Sequence, residues 1–242
     1  MDQFELLQTA LILLAVGASF LISASVGLGG SLLMVPTLVL TLGAHEGVAL
    51  AALLLGCNNV LKVAVYRKSI PWRSAFLLVA LISVGALVGA VALVHAPEEV
   101  IVAAVLATFL ATLAIERYGW EMGRRAFGPV LAFASGAMSG FSGTSGPLKG
   151  MAIRNLGLDR RHFVGAASIA SLAGDLTKTA VYAQAQLLGP NALIIAAAVI
   201  PLMVLGTLTG FRLNRRVGER GFTLLFWSVM AGYSARLVFG VM

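Results

Sequence analysis

The sequence predicts an all-α fold: a polytopic integral membrane protein made of two inverted repeats of about five helical segments each. Three observations lead to this prediction. Apolar side chains make up 59% of the 242 residues and charged side chains only 11%. The mean hydropathy is +0.95, and the second half repeats a pattern of the first. Because a membrane-spanning helix needs about 20 mostly apolar residues, the chain has room for about eight to ten full or partial crossings and little else.

Apolar segments alternate with short polar connections, which predicts one transmembrane domain over residues 1–242. Repeat one is expected at about 4–116 and repeat two at about 127–241. The predicted segments are about 4–26, 31–42, 46–66, 74–95 and 99–116, then about 127–140, 147–157, 162–182, 191–211 and 221–241. The short segments 31–42 and 147–157 cannot cross a hydrocarbon core of about 30 Å. We therefore expect them to be short, broken helices near the midplane, whether the first two segments cross separately or form a re-entrant hairpin.

The basic residues indicate which side of the membrane each loop faces. If every segment crosses, the basic residues that follow the odd-numbered segments from the third to the ninth all lie on one side. These residues are Arg67, Lys68, Arg73, Arg117, Arg124, Arg125, Arg154, Arg160, Arg161, Arg212, Arg215, Arg216 and Arg220. The positive-inside rule makes that side cytoplasmic. A multi-pass protein of the cell inner membrane is expected, with both termini external, or periplasmic.

The net charge of +7 is explained by these cytoplasmic loops, so no nucleic-acid partner is predicted. The single cysteine, Cys57, is too few for a disulfide framework or a Cys-rich metal site. No cluster of histidines and carboxylates or nucleophile pair suggests an enzyme. We expect no cofactor and no metal, and membrane lipid as a partner, and leave a homo-oligomer open.

An internal repeat appears when the chain is shifted by 116 residues without a gap. The shift aligns Gly27 with Gly143, Gly30 with Gly146, Asn59 with Asp175, Lys62 with Lys178, and Tyr66 with Tyr182. An odd number of crossings per repeat would place the second copy upside down relative to the first. Secondary transporters recurrently use such inverted repeats and bind substrate where the copies meet. Channels use them too, so the pattern favours transport without proving it.

Two lysines within apolar segments, Lys62 and Lys178, are the first candidate substrate-binding residues. A lysine near the centre of a membrane helix costs about 2.5–3.5 kcal/mol, which makes an intramembrane lysine a functional candidate. Asn59 and Thr177 lie within one helical turn and are expected to orient a ligand. Asp175, three residues before Lys178, is expected to carry any proton coupling or to pair with that lysine. In the alternative interpretation, Lys62 extends to the lipid headgroups and Asp175 merely neutralises Lys178.

The two Gly-rich breaks supply the second group of candidates. A helix N-terminus carries about half a positive charge and unpaired N–H donors, which suit an anion. The candidate substrate-binding residues at the breaks are Gly29, Gly30, Ser31, Thr144, Ser145 and Gly146. Hydroxyl groups at and near the breaks are further candidate donors: those of Ser23, Ser25, Ser31, Ser139, Ser142, Thr144 and Ser145. The alternative is that these glycines only allow close helix packing.

Two glycine patterns are interpreted as helix-packing faces, and the role of one further lysine stays open. Gly85-Ala-Leu-Val-Gly89 and Gly206-Thr-Leu-Thr-Gly210 are small-xxx-small patterns, which predict faces for helix packing. Lys149, just after the second break, either enlarges the cationic site or reaches the external interface.

Several of these motifs, in this order, resemble the TauE/SafE family of sulfite and organosulfonate exporters. They are the Gly-rich break followed by Val35-Pro36, the stretch from Asn59 to Tyr66, the sequence Arg67-Lys68-Ser69-Ile70-Pro71-Trp72, and the GxxxG helix after it. The resemblance covers essentially the whole chain. It implies an inner-membrane exporter of small sulfur-containing anions such as sulfite, sulfoacetate or other organosulfonates. The second break departs from the family pattern, with hydroxyl residues in a glycine run and Lys149 at a usually apolar position.

Together, the residues and the resemblance predict a transporter that moves a small anionic substrate by alternating access. The alternative is an anion channel or an importer of another small organic anion.

Overall fold

The chain is all-helical in a computed structural model, which describes residues 13, 16–24, 30–118, 127–145 and 148–216. No strand occurs in these ranges. The predicted tenth segment, 221–241, lies outside the described residues. The all-helical class and the apolar character of the helices agree with the fold class predicted from the sequence.

Ten helices and one 3₁₀ turn cover the described ranges. The first helix, α1, is described over 16–24. The others are α2 (Gly30–Leu42), α3 (Ala44–Tyr66), a 3₁₀ turn (Arg67–Ser69), α4 (Trp72–His95), α5 (Glu98–Tyr118), α6 (Gly128–Ser142), α7 (Leu148–Arg154), α8 (Arg160–Gln184), α9 (Ala192–Ala198) and α10 (Ile200–Arg216).

The predicted segments agree with these helices within a few residues at most ends, with two differences. The short segment 147–157 contains a helix of only seven residues, α7. Predicted segment 191–211 is not one helix, because α9 and α10 meet at an angle of 49°. Pro201 follows this break directly, and proline has no N–H to continue the hydrogen-bond ladder of a preceding helix.

The outward faces of the helices are apolar, as a bilayer requires. On α4, Phe76, Leu77, Val84 and Val88 are each more than half exposed. Among the described residues, two helices, Ala44–Ser69 and Trp72–His95, are long and apolar enough to cross a membrane, and the bent α9–α10 pair would make a third. Such exposed apolar surface suits a lipid environment.

The site is held by α3 and α8, which pack against each other at the centre of the described structure. Helix α2 packs on α3, and α4 packs on both α6 and α8. The N-terminus of α8 is capped by Asp159, whose carboxylate accepts a hydrogen bond from the backbone N–H of His162 at 2.9 Å. This bond lowers the pKa of Asp159, a residue in the exposed loop before the helix.

Glycines allow α4 and α6 to approach closely. Gly85 and Gly89 of α4 face α6, and Gly136 and Gly140 of α6 face α4. A Cβ atom at Gly89 would lie 2.9 Å from the backbone nitrogen of Phe141, and one at Gly140 would lie 2.7 Å from that of Ala90. Backbone atoms cannot move aside as side chains do, so the packing role predicted for Gly85 and Gly89 is confirmed. Gly206 plays a similar part in α10, against Phe20 and Leu21 of α1.

We therefore expect Gly89→Val to destabilise the protein, because its side chain would force α4 away from α6. Overpacking of this kind costs about 1–3 kcal/mol, which lowers the melting temperature by several degrees. The matched control is Ala80→Val, an exposed position on the same helix. Thermal unfolding of the purified protein in detergent measures both. Equal melting temperatures for the two variants would show that the α4–α6 contact does not depend on Gly89.

Candidate functional site

Both candidate lysines are buried and donate to a serine in the same half, on the helix two before their own. Lys62 of α3 is 0% exposed, and its Nζ lies 2.9 Å from Oγ of Ser23 in α1. Lys178 of α8 is 1% exposed, and its Nζ lies 3.0 Å from Oγ of Ser139 in α6. Both contacts join residues 39 positions apart. Because its ammonium is buried against Ser23, the alternative in which Lys62 extends to the headgroups is wrong.

A tyrosine one turn after each lysine repeats the pattern. The hydroxyl of Tyr66 donates to the carbonyl oxygen of Ala24 at 3.0 Å. The hydroxyl of Tyr182 donates to the carbonyl oxygen of Gly140. Both bonds join residues 42 positions apart. Each half therefore joins its lysine helix to the helix two before it, α3 to α1 and α8 to α6, by two bonds of the same kind.

The acidic residue Asp175 joins the two lysine helices. One carboxylate oxygen pairs with Nζ of Lys178 at 2.8 Å, as the spacing of three residues allows. The other accepts a hydrogen bond from the side-chain amide of Asn59 on α3 at 2.6 Å. The amide oxygen Oδ1 of Asn59 is buried and has no hydrogen-bond partner among the described residues. It is therefore left as an acceptor beside the cavity described next.

A polar cavity of about 430 Å³, a volume that includes its open mouth, lies between the two halves. Serine, threonine, glycine and charged residues make up most of its wall. The lining residues are Ser23, Gly30, Ser31, Leu32, Leu55, Asn59, Ser139, Gly143, Thr144, Ser145, Lys149, Ser171 and Asp175. A cavity with few apolar side chains inside a protein this apolar is suited to a small polar guest.

Two backbone features supply further polar groups to the wall. Helix α2 is described from Gly30 onward, and residues 30–32 line the cavity. Gly143 ends α6 with a φ of +74°, a conformation that favours glycine. Its carbonyl oxygen thereby accepts a hydrogen bond from Lys178 Nζ at 3.3 Å.

Six of the predicted site residues line this cavity. They are Gly30, Ser31, Asn59, Thr144, Ser145 and Asp175. The hydroxyls of Ser31 and Thr144 lie 2.9 Å apart, so residues 113 positions apart in the chain meet at the cavity.

The other predicted site residues lie elsewhere. Lys62 and Lys178 are behind the wall, each bonded to a serine that lines it. Thr177 is not in the wall, and its hydroxyl donates to the backbone carbonyl of Ala173 at 2.8 Å. Gly29 and Gly146 lie outside the described residues.

Sequence reasoning left Lys149 open and missed Ser171. Lys149 lines the cavity, and its Nζ donates to Oγ of Ser171 at 3.0 Å. Of the two alternatives, its position in the cavity wall favours a place beside the other candidate residues. Its apolar surroundings in the sequence were a visible signal, whereas Ser171 is one of many serines and carried none.

No group of three or more His, Cys, Asp or Glu side chains able to hold a metal occurs in the described part of the chain. The arrangement instead offers ammonium groups, hydroxyls and amide groups to a guest. Hydrogen bonds from charged donors are about twice as strong as neutral ones, so such a lining favours an anion.

Apolar helices surround a polar cavity that Lys149 lines, with Lys62 and Lys178 buried behind its wall, an arrangement that suits an integral membrane transporter. Residues 11–237, nearly the whole chain, match the family model described as Sulfite exporter TauE/SafE. The chain belongs to this family, whose members are membrane transporters and not enzymes. No curated protein and no solved structure gave a match.

The ion pair of Asp175 and Lys178 gives a testable prediction about stability. Asp175→Asn keeps an oxygen to accept from Asn59 but leaves the buried ammonium of Lys178 without its counter-charge. Removing one partner of a buried pair is strongly destabilising, and we expect a loss of about 3 kcal/mol. Thermal unfolding in detergent measures the loss.

The double variant Asp175→Asn/Lys178→Met removes both charges and is the matched control. We expect it to recover much of the lost stability, because no buried charge remains uncompensated. Lys178→Met is measured alone as well. If the double variant loses as much stability as the two single variants together, the two residues do not stabilise each other.

Proposed function

We propose that the protein exports small sulfur-containing anions, such as sulfite, sulfoacetate or other organosulfonates, across the cell inner membrane by alternating access. The family supports a sulfite-type exporter. The observation that carries the substrate class is the cavity wall, in which Lys149 and the serines held by Lys62 and Lys178 surround one space. Sulfonate and sulfite groups offer three oxygens each, which match several hydroxyl and N–H donors at once.

Lys62 and Lys178 can act on such an anion without touching it. Each ammonium is one hydroxyl away from the cavity, so an anion bonded to Ser23 or Ser139 would lie about 6 Å from it, two hydrogen-bond lengths. At an effective dielectric constant of about 20, that distance is worth about 3 kcal/mol per unit charge for Lys62, whereas Asp175, paired with Lys178 at 2.8 Å, offsets much of the attraction of Lys178. The serine hydroxyl, which accepts from the lysine, is also oriented to donate its own hydrogen into the cavity.

In this proposal the remaining residues hold and orient the guest. Ser31 and Ser145 supply hydroxyls, and the backbone at Gly30 supplies N–H groups. The free amide oxygen of Asn59 would accept from a protonated oxygen of the substrate or from a bound water. Asp175 is occupied by Lys178 and Asn59, and it would carry a coupling proton only if substrate entry loosened these bonds.

Alternating access requires two halves that can exchange roles, and we propose inverted repeats over about 4–116 and 127–241. The equal separations of the lysine and tyrosine bonds support this. So does the contact of Asn59 with Asp175, because the two positions are 116 apart and equivalent under the repeat. Positions next to a two-fold axis meet their own equivalents, as in a symmetric dimer interface.

Export of such an anion needs no coupling ion. A cell interior at negative potential favours the exit of negative charge by about 2.3 kcal/mol per charge per 100 mV. A carrier that only exposes the cavity alternately to the two sides would therefore suffice to keep the substrate concentration low inside.

Transport by the purified protein in liposomes tests this function. We expect wild type to exchange labelled sulfite or sulfoacetate, and Lys62→Met to lower the apparent affinity at least about tenfold, since the lost attraction exceeds about 1.4 kcal/mol. The matched control is Lys68→Met, an exposed lysine six residues later, which we expect to behave as wild type. Full activity of Lys62→Met would remove Lys62 from the site.

The same liposomes distinguish a carrier from an anion channel. A carrier saturates with substrate and accelerates uptake of label when unlabelled substrate is loaded inside. Flux that rises linearly with concentration, without this counterflow, would contradict alternating access and favour the channel.

The inverted arrangement is tested by labelling equivalent exposed positions. Lys68 and Gln184 are exposed and exactly 116 residues apart, so inverted repeats place them on opposite sides of the membrane. In a Cys57→Ser background, we expect an impermeant maleimide added outside intact cells to label Gln184→Cys at once. Lys68→Cys should react only after permeabilisation. Labelling of both from the same side would exclude inverted repeats.

A further inference from the structure

Lys149 is a buried lysine in the wall of the cavity. Its side chain is 9% exposed, and its Nζ donates a hydrogen bond to the neutral hydroxyl of Ser171. Within the described ranges, no carboxylate lies within 4.0 Å of its Nζ, because the only ion pairs there are Lys178 with Asp175 and His162 with Asp159. A buried charge is costly unless a partner of opposite charge offsets it.

The first half has no equivalent of this lysine. The shift of 116 residues aligns Lys149 with Leu33 and Ser171 with Leu55. Both leucines are buried, at 2% and 4% exposure, and Leu55 lines the cavity. The same pair of positions is therefore apolar in one half and a hydrogen-bonded Lys–Ser pair in the other.

The change of both residues together argues for a role in binding and not in packing. The fold accommodates leucine at these positions in the first half, so it does not require polar side chains there. A lysine alone would have left its ammonium against an apolar neighbour, whereas the serine hydroxyl both accepts from it and faces the cavity. Since the pair adds one positive charge on one side of the wall, it suits a guest with negative charge at more than one end.

We propose that Lys149 and Ser171 form a second anion subsite, which makes the protein select small dianions over monoanions of similar size. This inference rests on the proposed function and names the substrate class more closely. One negative group of the guest lies near Ser23 and Ser139, where Lys62 and Lys178 act on it. A second group, such as a carboxylate at the other end of a short sulfonate, binds Lys149 directly. Leu32 and Leu55 in the wall then contact the short carbon chain between them.

Two sulfonates of nearly equal size test the subsite. Sulfoacetate carries a carboxylate at the end opposite its sulfonate, whereas isethionate carries a neutral hydroxyl there. The ratio of their apparent affinities in the liposome assay reports on the second anionic group alone. We expect wild type to prefer sulfoacetate by at least about tenfold, since a bond between two charged groups is worth about 1.5–3 kcal/mol.

The test variant is Lys149→Leu/Ser171→Leu, which copies the pair of the first half. We expect it to lose the preference for sulfoacetate, so that the apparent affinities for the two sulfonates become similar. Lys149→Arg keeps the charge and should retain the preference, and Lys68→Leu controls for loss of an exposed charge. A double variant that still prefers sulfoacetate overturns the proposal. So does one that loses both substrates equally, because Lys149 would then serve binding or folding in general.

A second measurement separates this proposal from the proposed function. If wild type transports neither sulfonate, the sulfonate assignment fails. The subsite is then read from thermal stabilisation of the purified protein by sulfate compared with nitrate at equal ionic strength. Greater stabilisation by sulfate in wild type, absent in the double variant, would support the dianion subsite on its own. Equal stabilisation by the two ions in wild type would overturn it.

Discussion

The structure depends on one constraint: an ammonium group inside an apolar protein must have polar partners. Lys62 and Lys178 satisfy it through Ser23 of α1 and Ser139 of α6, which lie on the helices two before their own. These bonds fix the rotation of α3 relative to α1 and of α8 relative to α6, and the tyrosine one turn later fixes it a second time. The polar faces of all four helices are thereby turned toward one space. The cavity follows from how the lysines are satisfied, and it would close or become apolar if those helices rotated.

Much of the fold could be predicted from the sequence because the ends of apolar helices follow from hydropathy, which is read along the chain without knowledge of the three-dimensional contacts. Helices α3, α4, α5 and α8 begin and end within a few residues of the predicted segments, since charged residues mark the ends of apolar runs. The break between α9 and α10 was not predicted, although Pro201 was visible. An apolar run continues through it without a polar residue, and proline within a membrane helix causes anything from a slight kink to a full break, depending on its neighbours.

The site was predicted less completely, for a geometric reason. The types of residue were evident, since lysine, aspartate and asparagine are rare in apolar segments. Which of them face the cavity depends on helix rotation by less than one residue step. Lys62 and Lys178 lie one hydroxyl behind the wall while Lys149 is in it, and no spacing rule separates these cases. Choosing Ser23 and Ser139 as partners was likewise beyond the sequence alone, because the same helices carry several other serines. The repeat was the one guide, as 23 and 139 differ by 116.

The two halves share a frame, the lysine and tyrosine bonds that position their helices, but they differ in part of the cavity lining. This difference bears on which molecules the protein can recognise. Residues that fix the frame recur in both halves, as with the lysines, the tyrosines and their partners. Lining residues without a part in this frame can diverge, as Leu55 does from Ser171. In the proposed alternating-access cycle, a symmetric frame would give the inward-facing and outward-facing arrangements similar contacts, and hence similar energies. A symmetric lining would bring no such advantage, because the proposed guest, a short sulfonate, has two unlike ends. Under this proposal, divergence in the lining would let the protein distinguish one end of the guest from the other without disturbing the balance between the two arrangements.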